Sequence, residues 1–475
     1  MTSQDTENVT VQHDGVSEPE ARHLFGRRFV LGVLAVGGVA AATAVSVLSG
    51  INIAEGASRT QVFVPIAVFM AFGVIAIATT RFDIYLAGAV AARASLDAAK
   101  LSSNSGAPGV DLTGVFAVMF IVFGLLWLFA QRPLRGSLAP IVAPFVVLIG
   151  LATLSVAFTP QVARGLRELS RLGAILILLI VLHEFLTTRR RQRLILGAVF
   201  LSAVPPIVVA AFQLASNTQL FSAGGFDRVT GTFTHPNPLA TYLTLVIILG
   251  VAVLPHVRRW YRVGLILLIG AGAWTLLLTY TRSGWIAVFL GLVVVGYYQR
   301  GILLPMLGVF AIVGAIALPV VAGRFADLSE GATASGEPVN SLEWRLLTWE
   351  NALGAVENPI VGMGLRSSDL LTDANKLPHN DFVRMYVELG VIGFLVYLWF
   401  LAASWRIAAK ALKASTEGFN RGLAVGFAGV ATAFLILSVV SNLLSQLVLL
   451  WYFAIVASLA WSTTVVANEP ADTPA

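Results

Sequence analysis

Apolar stretches of about 17–25 residues, each long enough to cross a bilayer, recur along most of this 475-residue chain. They fall at roughly 29–49, 61–80, 111–131, 138–158, 170–187, 193–215, 238–256, 262–280, 283–299, 301–321, 383–404, 421–440 and 444–465. The spacing predicts an all-α integral membrane protein. One polar stretch breaks the rhythm. About 60 residues from Ala322 to Asp381 end in Leu377-Pro378-His379-Asn380-Asp381 and run directly into the next apolar helix.

This divides the chain into a tail at 1–28, a first bundle at 29–321, a long loop at 322–382, C-terminal helices at 383–466 and a second tail at 467–475. The tails are polar without periodicity and are expected to be disordered. The first apolar stretch lies far from Met1 and lacks a small-residue cleavage site, so it reads as a retained span rather than a secretory signal.

Composition sharpens the picture. Hydrophobic residues make up 57% and charged ones 12%, against roughly 25% charged in soluble proteins. There are 0 cysteines, which excludes disulfides, thiolate-bound metals and a cysteine nucleophile. The net charge of +6 orients helices; no basic, aromatic-interleaved nucleic-acid motif accompanies it.

Arginine-rich connections occur at 189–193, at Arg258, Arg259 and Arg262, and at Arg406, Lys410, Lys413 and Arg421. Placed in the cytoplasm, they turn 216–237, 280–284 and 322–382 outward. In the first third, Arg22, Arg27 and Arg28 favour a cytoplasmic N-terminus, whereas five spans before residue 188 favour the opposite. One early segment not crossing, or part of 82–100 re-entering, reconciles them and gives 12 or 13 spans.

Three outward segments carry candidate chemistry. In Arg228…His235-Pro236-Asn237-Pro238, Asn237 followed by proline predicts a capped helix start. Such a helix end favours an anion, with Arg228 and His235 beside it; a capped helix without a substrate is the plain alternative. Tyr280-Thr281-Arg282-Ser283-Gly284 is a hinge with almost no loop. Arg282 there faces either a partner in a polar cavity or lipid phosphates by snorkelling.

In the long loop, Asn340-Ser341-Leu342-Glu343 reads as a capping box. Leu342, Leu346, Trp349 and Leu353 form an apolar stripe with Arg345 beside it. Such a helix would lie on the membrane surface or pack over the bundle. Glu357 to Leu365 reads as a glycine-assisted turn. Asp381, Arg384 and Glu388 share one face of the following helix, expected to meet protein or a water-filled cleft. His379, the loop's sole histidine, is suited to take a proton near neutral pH; His379 or Asn380 acting only as a cap is the plain reading. Four basic against nine acidic residues in 322–381 leave −5, so a few placed arginines suit one compact anion. Within 322–381 no Asp-x-Asp, His-x-x-x-His or Glu-x-x-His supports a metal centre.

Taken together, the chain resembles the O-antigen ligase and O-antigen polymerase family over residues 110–460, most strongly over 228–393. The resemblance rests on Arg228…Gly231-Thr232-Phe233, Thr281-Arg282-Ser283-Gly284, Arg345 with Trp349, Pro359…Gly362-Met363-Gly364, and His379-Asn380 followed by Glu388-Leu389-Gly390…Gly393. It implies a C-type glycosyltransferase-like membrane enzyme of the bacterial cytoplasmic membrane, working on the extracytoplasmic face without cofactor or metal. The donor would be a glycan on polyprenyl (undecaprenyl) pyrophosphate and the acceptor a sugar hydroxyl on a glycan or lipid-linked glycan. Arg228, Arg282 and Arg345 would hold pyrophosphate and His379 would act as general base, giving inversion. His235, Asn237, Ser283, Asn380, Asp381, Arg384 and Glu388 would support them. The motifs do not separate ligase from polymerase. A transporter or flippase of lipid-linked sugars is the alternative from another class; it would show inverted repeats and midplane charges, and neither is visible in the sequence.

Overall fold

The computed structural model describes residues 59–97, 112–131, 138–223, 226–301, 308, 341–371 and 378–466. The expected spans at 29–49 and 301–321 lie outside these residues, Gly301 and Gly308 excepted, as do both tails and the Asn340 cap. In chain order the helices are α1 (Arg59–Thr80), α2 (Phe82–Ala92), α3 (Leu112–Ala130), α4 (Val142–Ser155), α5 (Val162–Phe185), α6 (Arg189–Ser202) and α7 (Val204–Ser216). A two-stranded antiparallel hairpin follows, β1 (Phe221–Ala223) and β2 (Phe226–Arg228), pairing Phe221 with Arg228. Then come α8 (Pro236–Val253), α9 (Arg259–Leu278), α10 (Arg282–Tyr298), α11 (Ser341–Gly354), α12 (Asp381–Ala414), α13 (Gly418–Val440) and α14 (Leu447–Ser462).

The protein is an all-α integral membrane protein. Among the described residues, six helical stretches are long and apolar enough to cross a membrane: 112–130, 189–216, 236–256, 259–278, 381–414 and 418–440. Four shorter apolar helices accompany them. The expected span at 193–215 is divided into α6 and α7, with Pro205 and Pro206 in the first turn of α7, where proline lacks the amide that would continue α6. The span expected at 170–187 is the second half of α5, whose first half carries Arg164, Arg167, Glu168 and Arg171. With 11 residues, α2 rises only about 16 Å and is too short to cross alone.

Residues 1–85 and 86–475 form two units; α1 belongs to the first. In the second, α8, α13 and α14 are apolar on nearly every side and lie buried, as helices without a polar face must. Trp451, Tyr242, Tyr397, Phe427 and Phe434 fill the space between helices. Helices α10 and α13 meet through Gly291 and Gly429: a Cβ on either would stand 3.0 or 2.7 Å from the other's carbonyl oxygen. Small residues permit this approach where lipid provides no hydrophobic drive.

The long membrane helices separate two ends. At one, Arg421 donates to the Leu412 and Ser415 carbonyls and lies over Tyr298, while Arg193 lies over Phe419 and Lys410 over Trp461. All three arginine-rich connections gather there, with Trp260, Tyr261 and Tyr297 strongly exposed, a composition suited to the interface. At the other end lie the hairpin, the α9–α10 hinge, α11 and the start of α12.

Helix α12 is not continuous. Gly390 adopts φ 66° and ψ −166°, interrupting the helix nine residues in. The segment Pro359–Gly364 fills the gap: Met363 N–H donates to Val387 O (2.8 Å), Gly364 N–H to Glu388 O (3.0 Å), and Val391 N–H to Pro359 O (2.8 Å). A side chain at Gly390 would sit 2.1 Å from Ile360 O, and one at Gly362 would sit 2.5 Å from Gly390 N. Both glycines have positive φ, so close approach and backbone conformation each require them.

Candidate active site

Arg228 leaves the hairpin pointing inward. Its Nε donates to Thr279 O (2.6 Å), and its Nη2 to Asn237 Oδ1 (2.8 Å) and Thr281 Oγ1 (2.9 Å). The guanidinium, 6% exposed, therefore ties the hairpin and the start of α8 to the α9–α10 hinge. Arg228 was expected as a pyrophosphate ligand; the structure places these donors on protein oxygens.

The start of α8 also differs from expectation. The helix begins at Pro236, and the cap is His235, whose Nδ1 accepts from Asn237 N–H (3.2 Å). Asn237 lies inside the first turn, leaving its Oδ1 to accept from Arg228 and, at 3.3 Å, from Thr281. An imidazole nitrogen can take the capping role of an asparagine oxygen, and a guanidinium is the stronger claim on the carboxamide. The edge of the His235 ring meets Phe221 at 4.5 Å between centroids.

The hinge turns at Tyr280, a non-glycine residue at φ 49°, a conformation retained only where the surroundings impose it. Phe226 packs on Tyr280 at 4.9 Å, and Arg228 bonds both flanking threonines. The chain re-enters helix at Arg282, the first residue of α10, with Ser283 next to it; both are half-buried. Arg282 thus stands at a positive helix end.

The loop helix α11 carries the third arginine, Arg345, into the neighbourhood of Arg282. Burial pushes the Arg345 guanidinium below its ordinary value, and the neighbouring Arg282 cation adds to that shift. Two cations from distant parts of the chain therefore share one electrostatic site.

Trp344 and Trp349 connect α11 to His379. Trp349 Nε1 donates to Pro378 O (2.6 Å), and the Trp344 ring meets the His379 imidazole edge-on at 5.8 Å. His379 is half-buried at φ 53°. Asn380 caps α12, accepting from Phe382 N–H (2.9 Å) and Val383 N–H (3.1 Å). The two histidine segments thus divide the roles: in one the histidine caps, and in the other the asparagine caps while the histidine ring lies beside an indole.

Asp381, Arg384 and Glu388 meet protein, each at 0% exposure. Asp381 accepts from Leu443 N–H (2.9 Å), Leu444 N–H (3.3 Å) and Tyr397 Oη (3.3 Å). Arg384 donates to both oxygens of Glu388 (3.1 Å each) and to Glu168 of α5. Arg366 reaches Glu168 (3.2 Å) and Asp369 (2.6 Å), Arg164 reaches Asp369 (3.6 Å), and Ser368 bonds Glu388. Three guanidinium groups thus face three carboxylates, fastening the 365–371 turn to α5 and α12. Burial nevertheless holds the Asp369 carboxyl above the usual range, despite Arg366. Sequence reasoning missed Glu168, Arg366 and Asp369; the available signal was the charged run 164–171 adjoining an apolar span.

The expected apolar stripe of α11 is partly turned out. Trp349 and the buried Ala352 pack with Val356, Met363 and Leu371 on Val383 and Val387 of α12, while Leu346 and Leu353 are exposed. The Trp349–Pro378 bond fixes this rotation. The Leu342 side chain lies outside the described set. Among the described residues, no group of three or more His, Asp or Glu is gathered to hold a metal ion.

Residues 263–398 match the family model described as O-antigen ligase. The matched segment contains Arg282, Arg345 and His379, and ends before the turn that joins α13 to α14. A comparison with curated proteins returns no match.

Proposed function

We propose that this chain, whose residues 263–398 match the O-antigen ligase family model, transfers a glycan from polyprenyl (undecaprenyl) pyrophosphate to a sugar hydroxyl. That match supports a glycosyltransferase-like role in polysaccharide biosynthesis, and the apolar helices support a multi-pass bacterial membrane protein. The finer reading is carried by one observation: Arg345 is brought to Arg282 on the helix whose Trp344 backs His379.

In the reaction, an acceptor hydroxyl oxygen attacks the anomeric carbon of the donor. A new glycosidic C–O bond forms as the C–O bond to pyrophosphate breaks, and the electron pair leaves with the phosphate oxygen. Arg282 and Arg345 meet the charge that grows there, as planar forks matched to phosphate oxygens. His379 takes the hydroxyl proton. Direct displacement inverts the anomeric centre, and guanidinium groups rather than a divalent ion neutralise the leaving group. Arg228 and Asn237 contribute by holding the hinge that presents Arg282, with Ser283 beside it. By the positive-inside rule, the arginine-rich end lies in the cytoplasm and this site on the extracytoplasmic face of the inner membrane.

The test uses purified protein, an undecaprenyl-pyrophosphate oligosaccharide and a glycan acceptor, reading released undecaprenyl pyrophosphate. His379→Ala is expected to lower release by about 10²- to 10⁴-fold while donor binding persists; full release by that variant removes the base assignment. The interrupted α12 is a feature shared with transporters, but loop backbone fills its break. Passage of intact donor across vesicles without bond cleavage would replace transfer with transport. Product length separates ligase from polymerase: one added glycan for the first, a distribution of repeats for the second.

A further inference from the structure

The turn at 441–446, between α13 and α14, is outside the family-matched segment and was in no candidate set. It is clasped to the start of α12 in both directions. Asn442 Oδ1 accepts from Asn380 N–H at 3.1 Å, and the Asp381 carboxylate accepts from the Leu443 and Leu444 N–H groups. The turn is also tied to α8: Thr241 Oγ1 lies 3.1 Å from Gln446 Oε1, and Gln446 N–H donates to Asn442 O at 3.1 Å. Thr241 is one helical turn beyond Asn237, which Arg228 and Thr281 hold at the hinge. Hydrogen bonds and short stretches of chain therefore link the arginine hinge, the start of α8 and the 441–446 turn to the peptide bond that follows His379.

We propose that Asn442 is a positioning residue for the transfer reaction, its carboxamide oxygen fixing the peptide that joins His379 to Asn380. This rests on His379 acting as the base. His379 has a left-handed backbone, which a non-glycine residue keeps only when its neighbours hold it. The adjoining N–H is buried with Asn380, at 6% exposure, and its partner Asn442 is at 4%, so bulk water is poorly placed to replace that bond. Without Asn442 the Asn380 N–H loses its acceptor, and the left-handed backbone at His379 loses one of the bonds that hold it. The Asp381 clasp to Leu443 and Leu444 stays, so the fold is expected to survive the change.

The experiment is a double-mutant cycle in the release assay, using an undecaprenyl-pyrophosphate oligosaccharide as donor. Asn442→Ala is expected to lower kcat on the order of 10- to 100-fold, the scale of an ångström-sized misplacement, with the donor KM within about twofold. Asn442→Asp keeps an acceptor oxygen and is expected to restore most of the rate, which also guards against a folding defect in the alanine variant. In a His379→Ala background, Asn442→Ala is expected to add no further loss, because the group it positions is gone. A strongly impaired His379→Ala alongside an Asn442→Ala at wild-type kcat overturns the positioning role alone. Additive losses overturn it too, since they mark a general structural defect. A fully active His379→Ala instead overturns the base assignment, and this role with it.

Discussion

Two groups of arginines sit at the same end of the molecule and have opposite surroundings. Around α12, the Arg164, Arg366 and Arg384 side chains face Glu168, Asp369 and Glu388 within 4.0 Å. At the hinge, Arg345 has another guanidinium, Arg282, as its charged neighbour. Burying an ion pair gains little against its desolvation, whereas removing one member leaves the other stranded. The first group therefore fastens. In the second, one cation lies near another, and the proposed transfer brings the donor pyrophosphate to that pair.

The contrast can be broken from either side. The largest effect is expected from Arg384→Ala, which leaves Glu168 and Glu388 buried without their shared cation, a loss of about 3–5 kcal/mol. It should appear in detergent as a strongly lowered unfolding temperature with or without donor; an unchanged temperature would show that the network is dispensable. Next is Arg345→Glu, which converts the like-charge pair into an ion pair. Transfer is expected to fall by about 10²- to 10³-fold in kcat/KM, the scale of losing one transition-state contact, while the unfolding temperature holds or rises. Loss of stability along with activity would place Arg345 in the fastening group. A milder change, Arg345→Lys, keeps the charge and removes the fork; about a tenfold loss of donor engagement is expected, and full activity would show that point charge suffices.

The smallest effect concerns pH. Folding raises the Asp369 carboxyl through burial, so the folded chain holds that proton to higher pH than the unfolded one. Stability at this group therefore falls as pH rises from the ordinary carboxylate range through the raised value. Asp369→Asn is expected to remove that slope from the pH dependence of the unfolding temperature. An identical slope in the variant would assign it to another carboxylate.

Hydropathy made most membrane helices legible because the bilayer demands length and apolarity in one continuous stretch. It failed where a helix begins in polar sequence, as α5 does at Val162, eight residues before the expected start at 170. At the site, Arg282 stood out because the hinge leaves it almost no spacer, and His379 because no other histidine occurs in its loop. Roles within each segment were less legible. That Asn237 would serve as the Arg228 acceptor and His235 as the cap depends on a hairpin folding back onto the hinge, a long-range pairing with no local signature. Asn442 gave no signal at all, since its partner Asn380 is 62 residues away.

The interruption of α12 limits how the site can open. Three backbone hydrogen bonds join Pro359–Gly364 to the helix on either side of Gly390. Lifting this segment would expose bare peptide groups at the edge of the lipid phase, where each unmatched one costs several kcal/mol. It is therefore a fixed sill rather than a hinged cover. Under the proposed reading, an isoprenoid-linked donor would enter from the bilayer side with this segment staying put through every turnover.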